Sequence, residues 1–143
     1  MTVKAILSGK GRDVMTISSN ATLADAARLL SERRIGALVV ENDDHTVAGL
    51  LSERDIVRAV ATKGGEALAF PVQQAMTRKV VTCREADTVG AIMEHMTVGK
   101  FRHLPVIEDG QLVGIVSIGD VVKFRLGEME QESSALRDYI LTA

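Results

Sequence analysis

Aromatic residues and cysteine are scarce in this chain. Its 143 residues include no tryptophan, one tyrosine and three phenylalanines, so a core must be built from aliphatic side chains and methionine. The aromatic platforms on which many single-stranded nucleic-acid binders stack bases are therefore largely missing. The single cysteine, Cys83, excludes an intrachain disulfide and fits a reducing compartment. We expect a cytoplasmic protein.

The chain also lacks an excess of either charge and any long apolar run. Seventeen basic and nineteen acidic residues leave a formal net charge of −2, whereas binding to nucleic-acid phosphates needs a concentrated basic surface. No apolar stretch approaches the ~20 residues that span a bilayer, and the N-terminal apolar run is too short for a signal peptide. We expect no nucleic-acid partner and no membrane association.

The chain contains an internal repeat. Residues 22–30 align with 88–96 at an offset of 66, and the same offset pairs Leu38 with Leu104. After one deletion the offset becomes 65, and it then pairs Gly49, Ser52 and Asp55 with Gly114, Ser117 and Asp120. Because the pairing keeps register across the whole unit, the chain is interpreted as a duplication, and the fold must be built from two similar units.

Both copies predict the pattern β-α-β-β-α. The predicted strands are 14–17, 37–40 and 47–51 in the first copy, and 80–83, 104–107 and 112–116 in the second. Apolar residues spaced i, i+3, i+4, i+7 predict an amphipathic helix after the first strand, with Thr22 or Thr88 as its N-cap. Asp109-Gly110 predicts a hairpin turn in the second copy, because this pair tolerates positive φ. A second helix follows the third strand.

Neither unit can bury both faces of a three-stranded sheet alone, so we predict an α+β fold in which two repeats pack sheet to sheet. The predicted organisation is repeat 1 at 10–61, a linker at 62–78, repeat 2 at 79–126 and a C-terminal helix at 127–143. Pro71 suits the first turn of a short helix in the linker. Residues 1–8 are expected to form a packing helix. In the C-terminal helix, the residues expected to face the body are Met129, Leu136, Tyr139 and Ile140.

A Gly-aliphatic-aliphatic-Ser-x-x-Asp motif stands where the third strand meets the second helix of each copy, and it ends at Asp55 and at Asp120. In one interpretation it is a helix capping box, in which serine and aspartate satisfy backbone N–H groups. In the other, the carboxylate accepts hydrogen bonds from a ribose diol, as an acidic residue does in dinucleotide folds, and the helix start faces a phosphate. The residues alone leave both open.

These motifs, with residues 52–55 (SERD) and 102–106 (RHLPV), resemble CBS-domain sequence over about residues 10–126. The resemblance is to stand-alone bacterial proteins that carry a tandem CBS pair. It implies a disk-like module with pseudo-twofold symmetry and two clefts between the repeats. Such clefts commonly hold AMP, ADP, ATP, NAD(H) or S-adenosylmethionine derivatives.

The resemblance also implies roles for particular residues. Asp55 and Asp120 would hold ribose hydroxyls, and Ser52 and Ser117 would lie near ribose or phosphate. Arg54 would pair with a phosphate, since guanidinium geometry suits an anion. The full set of expected ligand-binding residues is Thr16, Ile17, Leu51, Ser52, Arg54, Asp55, Thr82, Arg102, His103, Pro105, Ile115, Ser117 and Asp120.

The two copies differ at charged positions. Arg54 of the first copy aligns with Gly119 of the second, whereas Arg102 of the second aligns with Gly36 of the first. We therefore expect two unequal sites, with either one preferred nucleotide or two different ones. Whether each cleft draws on one repeat or on both stays open.

Three functions compete. The leading hypothesis is a regulatory module that senses an adenine nucleotide (AMP, ADP, ATP or NAD(H)), with a homodimer expected from the resemblance and an unknown effector protein as its target. The alternative is a ligand-free interaction module that dimerises and docks a partner. A nucleotide hydrolase using Asp55 or Asp120 is disfavoured, because neither a nucleophile and base nor metal-ligand spacing accompanies these carboxylates. We expect no enzyme, no metal and no catalytic cofactor.

Overall fold

The computed structural model describes residues 1–142. In chain order the elements are α1 (Val3–Lys10), β1 (Thr16–Ser18), α2 (Leu23–Arg33), β2 (Ala37–Glu41), β3 (Val47–Ser52), α3 (Glu53–Lys63), α4 (Val89–Gly99), β4 (His103–Glu108), β5 (Gln111–Ser117) and α5 (Ile118–Thr142). Two short 3₁₀ turns, Gly64–Ala69 and Val72–Gln74, follow α3 in the linker. Within residues 1–142, none of the helices combines the length and the apolar character that a membrane crossing requires.

Repeat 1 is built around β2, which pairs in parallel with β1 and antiparallel with β3. Helix α2 begins where the threonine N-cap predicts it. Thr22 Oγ1 accepts a hydrogen bond from the Asp25 N–H at 3.1 Å, and Asp25 Oδ2 accepts one from the Thr22 N–H at 3.2 Å. Leu23, Ala26 and Leu30 then carry the apolar stripe of α2 into the core beneath this sheet.

Repeat 2 has a smaller sheet than predicted. β4 and β5 pair antiparallel across a turn in which Asp109 has φ 51° and Gly110 has φ 76°, as the Asp-Gly pair predicts. The predicted first strand at 80–83 is wrong, because that segment keeps a single bridge, between Cys83 and Val106. Cys83 alone in this segment is buried, so the neighbouring residues have no buried face that would hold them in the sheet.

Strands β2 and β4 are buried on both faces. Residues 37–40 of β2 and 104–106 of β4 are all buried, although successive side chains of a strand point to opposite faces. Leu38 and Val40 belong to the core cluster of repeat 1, whereas Val39 points the other way and lies outside that cluster. Because each repeat's helices cover one face, the other faces are covered by packing the two repeats together. The predicted α+β fold of two repeats is confirmed.

Helix α1 packs on repeat 2, although repeat 1 follows it directly in sequence. Val3 and Leu7 are fully buried in the core of repeat 2, and the Val3 N–H donates to the Asp87 carbonyl oxygen at 2.9 Å. The packing helix expected at 1–8 is therefore present, and it extends to Lys10.

Residues 127–142 are helical as predicted, but the predicted boundary at residue 127 is wrong. Helix α5 runs without a break from Ile118 to Thr142, because one glycine, Gly127, costs a helix only about 1 kcal/mol and does not end it. Ala143 lies outside the described residues. The expectation that four side chains face the body is also wrong. The exposed fractions are 60% to 71% for Met129, Leu136, Tyr139 and Ile140.

The edge of β3 is covered by the end of the linker. The Leu50 N–H donates to the Thr77 carbonyl oxygen at 3.0 Å, and the Thr77 N–H donates to the Leu50 carbonyl oxygen at 2.9 Å. A Cβ placed on the neighbouring Gly49 would lie 2.6 Å from the Thr77 carbonyl oxygen. The equivalent Gly114 is approached by Leu7 of α1, with 2.8 Å from its Cβ position to the leucine Cδ2. The glycine that precedes each Ser-x-x-Asp motif therefore makes room for a covering segment.

We expect Gly49→Ala to lower the free energy of unfolding by about 1–3 kcal/mol, because the added methyl group overlaps a backbone oxygen that is itself held in a bridge. Gly90→Ala in α4 is the control, since no atom lies within 4 Å of its Cβ position, and alanine there should raise stability by about 0.5–1 kcal/mol. Denaturant unfolding of both variants checks the prediction. Equal stability of the two variants would contradict the close approach at Gly49.

Candidate functional site

A cleft of about 300 Å³ opens between the two repeats, at the lower end of the range for small-molecule sites. Repeat 1 contributes Gly36, Leu50, Arg58 and the start of α3 from Ser52 to Asp55, and repeat 2 contributes residues 100–103 before and at the start of β4. Thr77 and residues 79–81 from the chain between the sheets complete the lining. The cleft therefore draws on both repeats, a point that the sequence left open.

The Ser-x-x-Asp motif of repeat 1 lies in this cleft and also caps α3. Asp55 Oδ2 accepts hydrogen bonds from the Ser52 N–H at 2.9 Å and from the Ser52 hydroxyl at 3.1 Å. Ser52 Oγ in turn accepts one from the Asp55 N–H at 3.3 Å. Asp55 Oδ1 makes no hydrogen bond within the described part of the chain, and its closest basic atom is Arg58 Nη1 at 3.8 Å. One carboxylate oxygen thus caps the helix, while the other can still accept two hydrogen bonds.

Basic side chains are concentrated around the same cleft. The five that line it are Arg54, Arg58, Lys79, Lys100 and Arg102. Two acidic residues, Glu53 and Asp55, are also present, so the local charge is positive in a chain whose formal net charge is −2. The cleft also lies at the start of α3, where the positive end of the helix dipole favours an anion, although the Glu53 and Asp55 N–H groups there already donate to the Gly36 carbonyl oxygen and to Ser52 Oγ. This arrangement can bind a ligand that combines hydroxyl groups with negative charge.

His103 lies between the two repeats. Its imidazole Cε1 and Nε2 are 3.8 Å from the position that a Cβ on Gly36 would occupy. Burial lowers the pKa of His103, and this effect outweighs the opposing attraction of nearby Asp120. The ring is therefore neutral near pH 7, and it faces both the cleft and the second Ser-x-x-Asp motif.

The Ser-x-x-Asp motif of repeat 2 has the same cap but different surroundings. Asp120 Oδ2 accepts from the Ser117 N–H at 2.9 Å, and it also accepts from Lys10 Nζ of α1 at 2.6 Å. Lys10 Nζ donates to the Ile115 carbonyl oxygen at 2.8 Å as well. Partial burial acts to raise the pKa of Asp120, but the hydrogen bonds from Lys10 and Ser117 lower it overall. This carboxylate already has a cation of its own chain as its partner.

The structure brings together five of the expected ligand-binding residues in the cleft. They are Ser52, Arg54, Asp55, Arg102 and His103. Arg54 and Arg102 were expected to mark two different sites, whereas both line this one cleft. Lining residues that the expected set omits are Gly36, Leu50, Glu53, Arg58, Thr77, Lys79, Val80, Val81, Lys100 and Phe101. Residues 77–81 and 100–101 carry no local sequence signal that would mark them as lining residues.

The other expected residues lie elsewhere. Leu51 is fully buried in the core of repeat 1, which corrects its place in the ligand set, because adjacent Leu50 is the one that faces the cleft. Thr82 is exposed next to the lining residue Val81. The remaining members of the expected set do not line the cleft; they are Thr16, Ile17, Pro105, Ile115, Ser117 and Asp120.

Solved structures with similar folds include proteins with bound adenosine compounds. A CBS-domain containing protein from Agrobacterium tumefaciens is 48% identical with a TM-score of 0.84, over 87% of this chain and 92% of that one. The CBS domain pair of protein MJ0100, in complex with 5-methylthioadenosine and S-adenosyl-L-methionine, is 26% identical with a TM-score of 0.80, over 90% and 98%. A CBS domain protein from Pyrobaculum aerophilum complexed with AMP is 29% identical with a TM-score of 0.75, over 84% and 89%.

Comparisons with curated proteins and with family models support the internal repeat found in the sequence. The chain spans 71% of the length of one curated relative from Arabidopsis thaliana, to which it is 31% identical, and 21% to 25% of several longer ones. The model of the CBS domain family matches this chain twice, at residues 3–62 and 72–127. The two matches correspond to the two copies found by internal alignment, and the chain belongs to the CBS-domain family as a tandem pair.

Proposed function

We propose that this protein is a regulatory module that binds an adenine nucleotide (AMP, ADP, ATP or NAD(H)) in the cleft between its repeats. The observation that carries the proposal is the placement of Asp55 beside five basic side chains. CBS domains are generally regulatory modules without catalytic activity, and similar CBS pairs bind AMP or S-adenosylmethionine with methylthioadenosine. A nucleotide has the hydroxyl groups and the negative charge that such a cleft can recognise.

Asp55 is the proposed ribose ligand. The capping interpretation and the ribose interpretation are compatible here, because the cap uses only Oδ2. Oδ1 remains available to the 2′ and 3′ hydroxyls of a ribose, and a carboxylate oxygen can accept both. The cap itself holds the carboxylate in place, so little conformational entropy is lost when the sugar binds.

The proposed phosphate subsite is formed by Arg54 and Arg102, with the first turn of α3. Guanidinium groups bind phosphate in charge-assisted, often bidentate, hydrogen bonds. The surplus of basic side chains favours nucleotides with more phosphate charge. It disfavours S-adenosylmethionine, whose sulfonium group is positive, even though a similar CBS pair binds that compound.

We propose one principal nucleotide site rather than two equal ones. At the second motif, Lys10 Nζ lies 2.6 Å from Asp120 Oδ2, so a cation of the same chain already neutralises this carboxylate and weakens it as an acceptor for ribose hydroxyls, although its Oδ1, like that of Asp55, accepts no hydrogen bond within residues 1–142. No comparable contact reaches Asp55 within residues 1–142, where Arg58 Nη1 is 3.8 Å away. Binding in the cleft would then change how the repeats sit together, and this change would reach a homodimer partner or an effector protein through differential affinity.

A ligand-free interaction module is the second candidate. The complete hydrogen bonding of both capping boxes supports it, because capping alone accounts for both Ser-x-x-Asp motifs. Apolar side chains exposed on helices provide a surface for a partner. They include Val57, Met93, Val98, Ile118 and Val122.

A thermal-shift series separates the two candidates. At a concentration one hundred times Kd, a nucleotide that binds the native protein should stabilise it by about 2.7 kcal/mol, which raises Tm by several degrees. We expect this shift with AMP, ADP, ATP or NAD(H), and a larger one as phosphate charge increases. S-adenosylmethionine should give none. The absence of any shift with all of them at millimolar concentration would favour the ligand-free module.

Asp55→Asn should raise the Kd for AMP about 10- to 100-fold, because a hydrogen bond to a charged group contributes about 1.5–3 kcal/mol. Asp120→Asn is the matched control, since both carboxylates accept from their serine N–H at 2.9 Å. We expect the control to change Kd less than about threefold. Isothermal titration calorimetry measures the Kd for AMP of both variants. If the two variants lose stability alike and neither changes Kd, Asp55 serves only as a cap.

Arg54→Gln should weaken ATP binding about tenfold and reduce the dependence of Kd on salt, because one charge-assisted contact is lost. Arg28→Gln on the exposed surface of α2 is the control. Its side chain is outside the cleft and pairs only loosely with Asp25 at 3.7 Å. Equal effects of the two substitutions would mean that net charge attracts ATP and that Arg54 has no specific contact with it.

A further inference from the structure

The C-terminal half of α5 stands free of the rest of the chain. Every residue from Met129 to Thr142 is exposed, a helical segment of about 21 Å at 1.5 Å per residue. Helices of this length are marginal in water without packing, and Ser133 and Ser134 in its middle are only moderate helix formers. This segment continues a helix whose start is packed, and a partner along it would add the stabilising contacts that the described part of its own chain does not supply.

An apolar stripe with heptad spacing runs along this helix. Its members, spaced alternately four and three residues apart, are Val122, Leu126, Met129, Ser133, Leu136 and Ile140. With Leu126 at position a of the heptad, Ser133 and Ile140 also fall at a, and Met129 and Leu136 fall at d. The five apolar side chains are 50% to 64% exposed. Alternating spacing of this kind is the pattern of a two-stranded coiled coil.

The charges beside the stripe favour one relative orientation of two such helices. In a parallel pair, residue g of one helix meets residue e of the next heptad of the other. This rule places Arg125 opposite Glu130 and Glu132 opposite Arg137, and twofold symmetry doubles both attractive pairs. Within its own helix Arg125 Nη1 lies 3.4 Å from Glu128 Oε1, so it would be shared between the two carboxylates.

The antiparallel arrangement with full overlap places like charges together. It pairs e with e and g with g, so Glu130 meets its own copy, Glu132 meets its own copy, and Lys123 meets Arg137. The single polar residue of the stripe gives the same preference. Ser133 faces Ser133 of the other helix in the parallel arrangement, where the hydroxyls can bond to each other, but it faces Met129 in the antiparallel one.

We propose that residues 122–140 of α5 form a parallel, in-register coiled coil with a second copy of the chain. This proposal extends the homodimer of the proposed function by assigning its seam and its orientation. It does not depend on nucleotide binding, so the two can fail separately.

Cysteine cross-linking tests the orientation in the full chain. Ser133→Cys places a thiol in the seam, and Ser134→Cys, the matched control, places it on the outer face. Native Cys83 should not interfere, because it is buried and burial raises its pKa to about 12. In a glutathione redox buffer we expect at least ten times more disulfide-linked dimer from Ser133→Cys than from the control. Equal or negligible linking of the two variants would overturn the parallel seam, and it would leave the nucleotide result unaffected.

A charge exchange provides a second readout by sedimentation. Arg137→Glu should raise the dimer Kd about tenfold, because two attractive pairs become repulsive, and Glu132→Arg with Arg137→Glu should restore it. Asp138→Arg, on the outer face, is the control and should leave Kd unchanged. A tighter dimer with Arg137→Glu would indicate the antiparallel arrangement and overturn the proposal. A wild-type chain that stays monomeric would overturn it as well.

Discussion

Each repeat has a sheet that its own helices cover on one face only, and most of the molecule follows from the need to cover the other. The aliphatic run at 37–40 is buried throughout, which no single repeat of this size can achieve. Packing the two sheets together brings the turn before β2 close to the start of β4, as the 3.8 Å between His103 and the Cβ position of Gly36 shows. The cleft is therefore a product of the same packing that stabilises the core.

The two capping boxes show how one local motif acquires different surroundings. The serine N–H to aspartate distance is 2.9 Å in both copies, so the local sequence determines the same helix start twice. The surroundings differ because they come from residues that are remote in sequence. Asp120 accepts a hydrogen bond from Lys10, which is 110 residues away in the chain, whereas Asp55 faces an open cleft lined by basic residues. Local chemistry positions each carboxylate, and the tertiary arrangement decides what it can bind.

The sequence predicted the fold further than it predicted the site. Duplication, helix caps and the Asp-Gly turn depend on neighbouring residues, so they could be read from the chain directly. The grouping of Arg54 with Arg102 in one cleft could not be predicted from the sequence, because it depends on how the two repeats are placed against each other. Leu51 was assignable to the core by strand alternation alone. The prediction for the C-terminal half of α5 was wrong because an apolar stripe indicates that a helix face will be covered. It does not indicate whether the same chain or another chain covers it.

Arg102 connects the cleft with α5. Its side chain lines the cleft, and its carbonyl oxygen accepts a hydrogen bond of 2.8 Å from the N–H of Ile118, the first residue of α5. In repeat 1 the equivalent hydrogen bond runs from the Glu53 N–H to the Gly36 carbonyl oxygen at 3.0 Å. Because Gly36 has no side chain, a ligand in the cleft cannot act on the start of α3 in the same way. An anion that draws Arg102 toward itself would act on the start of α5 and thereby on a pairing of two such helices. Because coupling of this kind is reciprocal, dimer formation would change nucleotide affinity by the same factor by which the nucleotide changes dimer affinity.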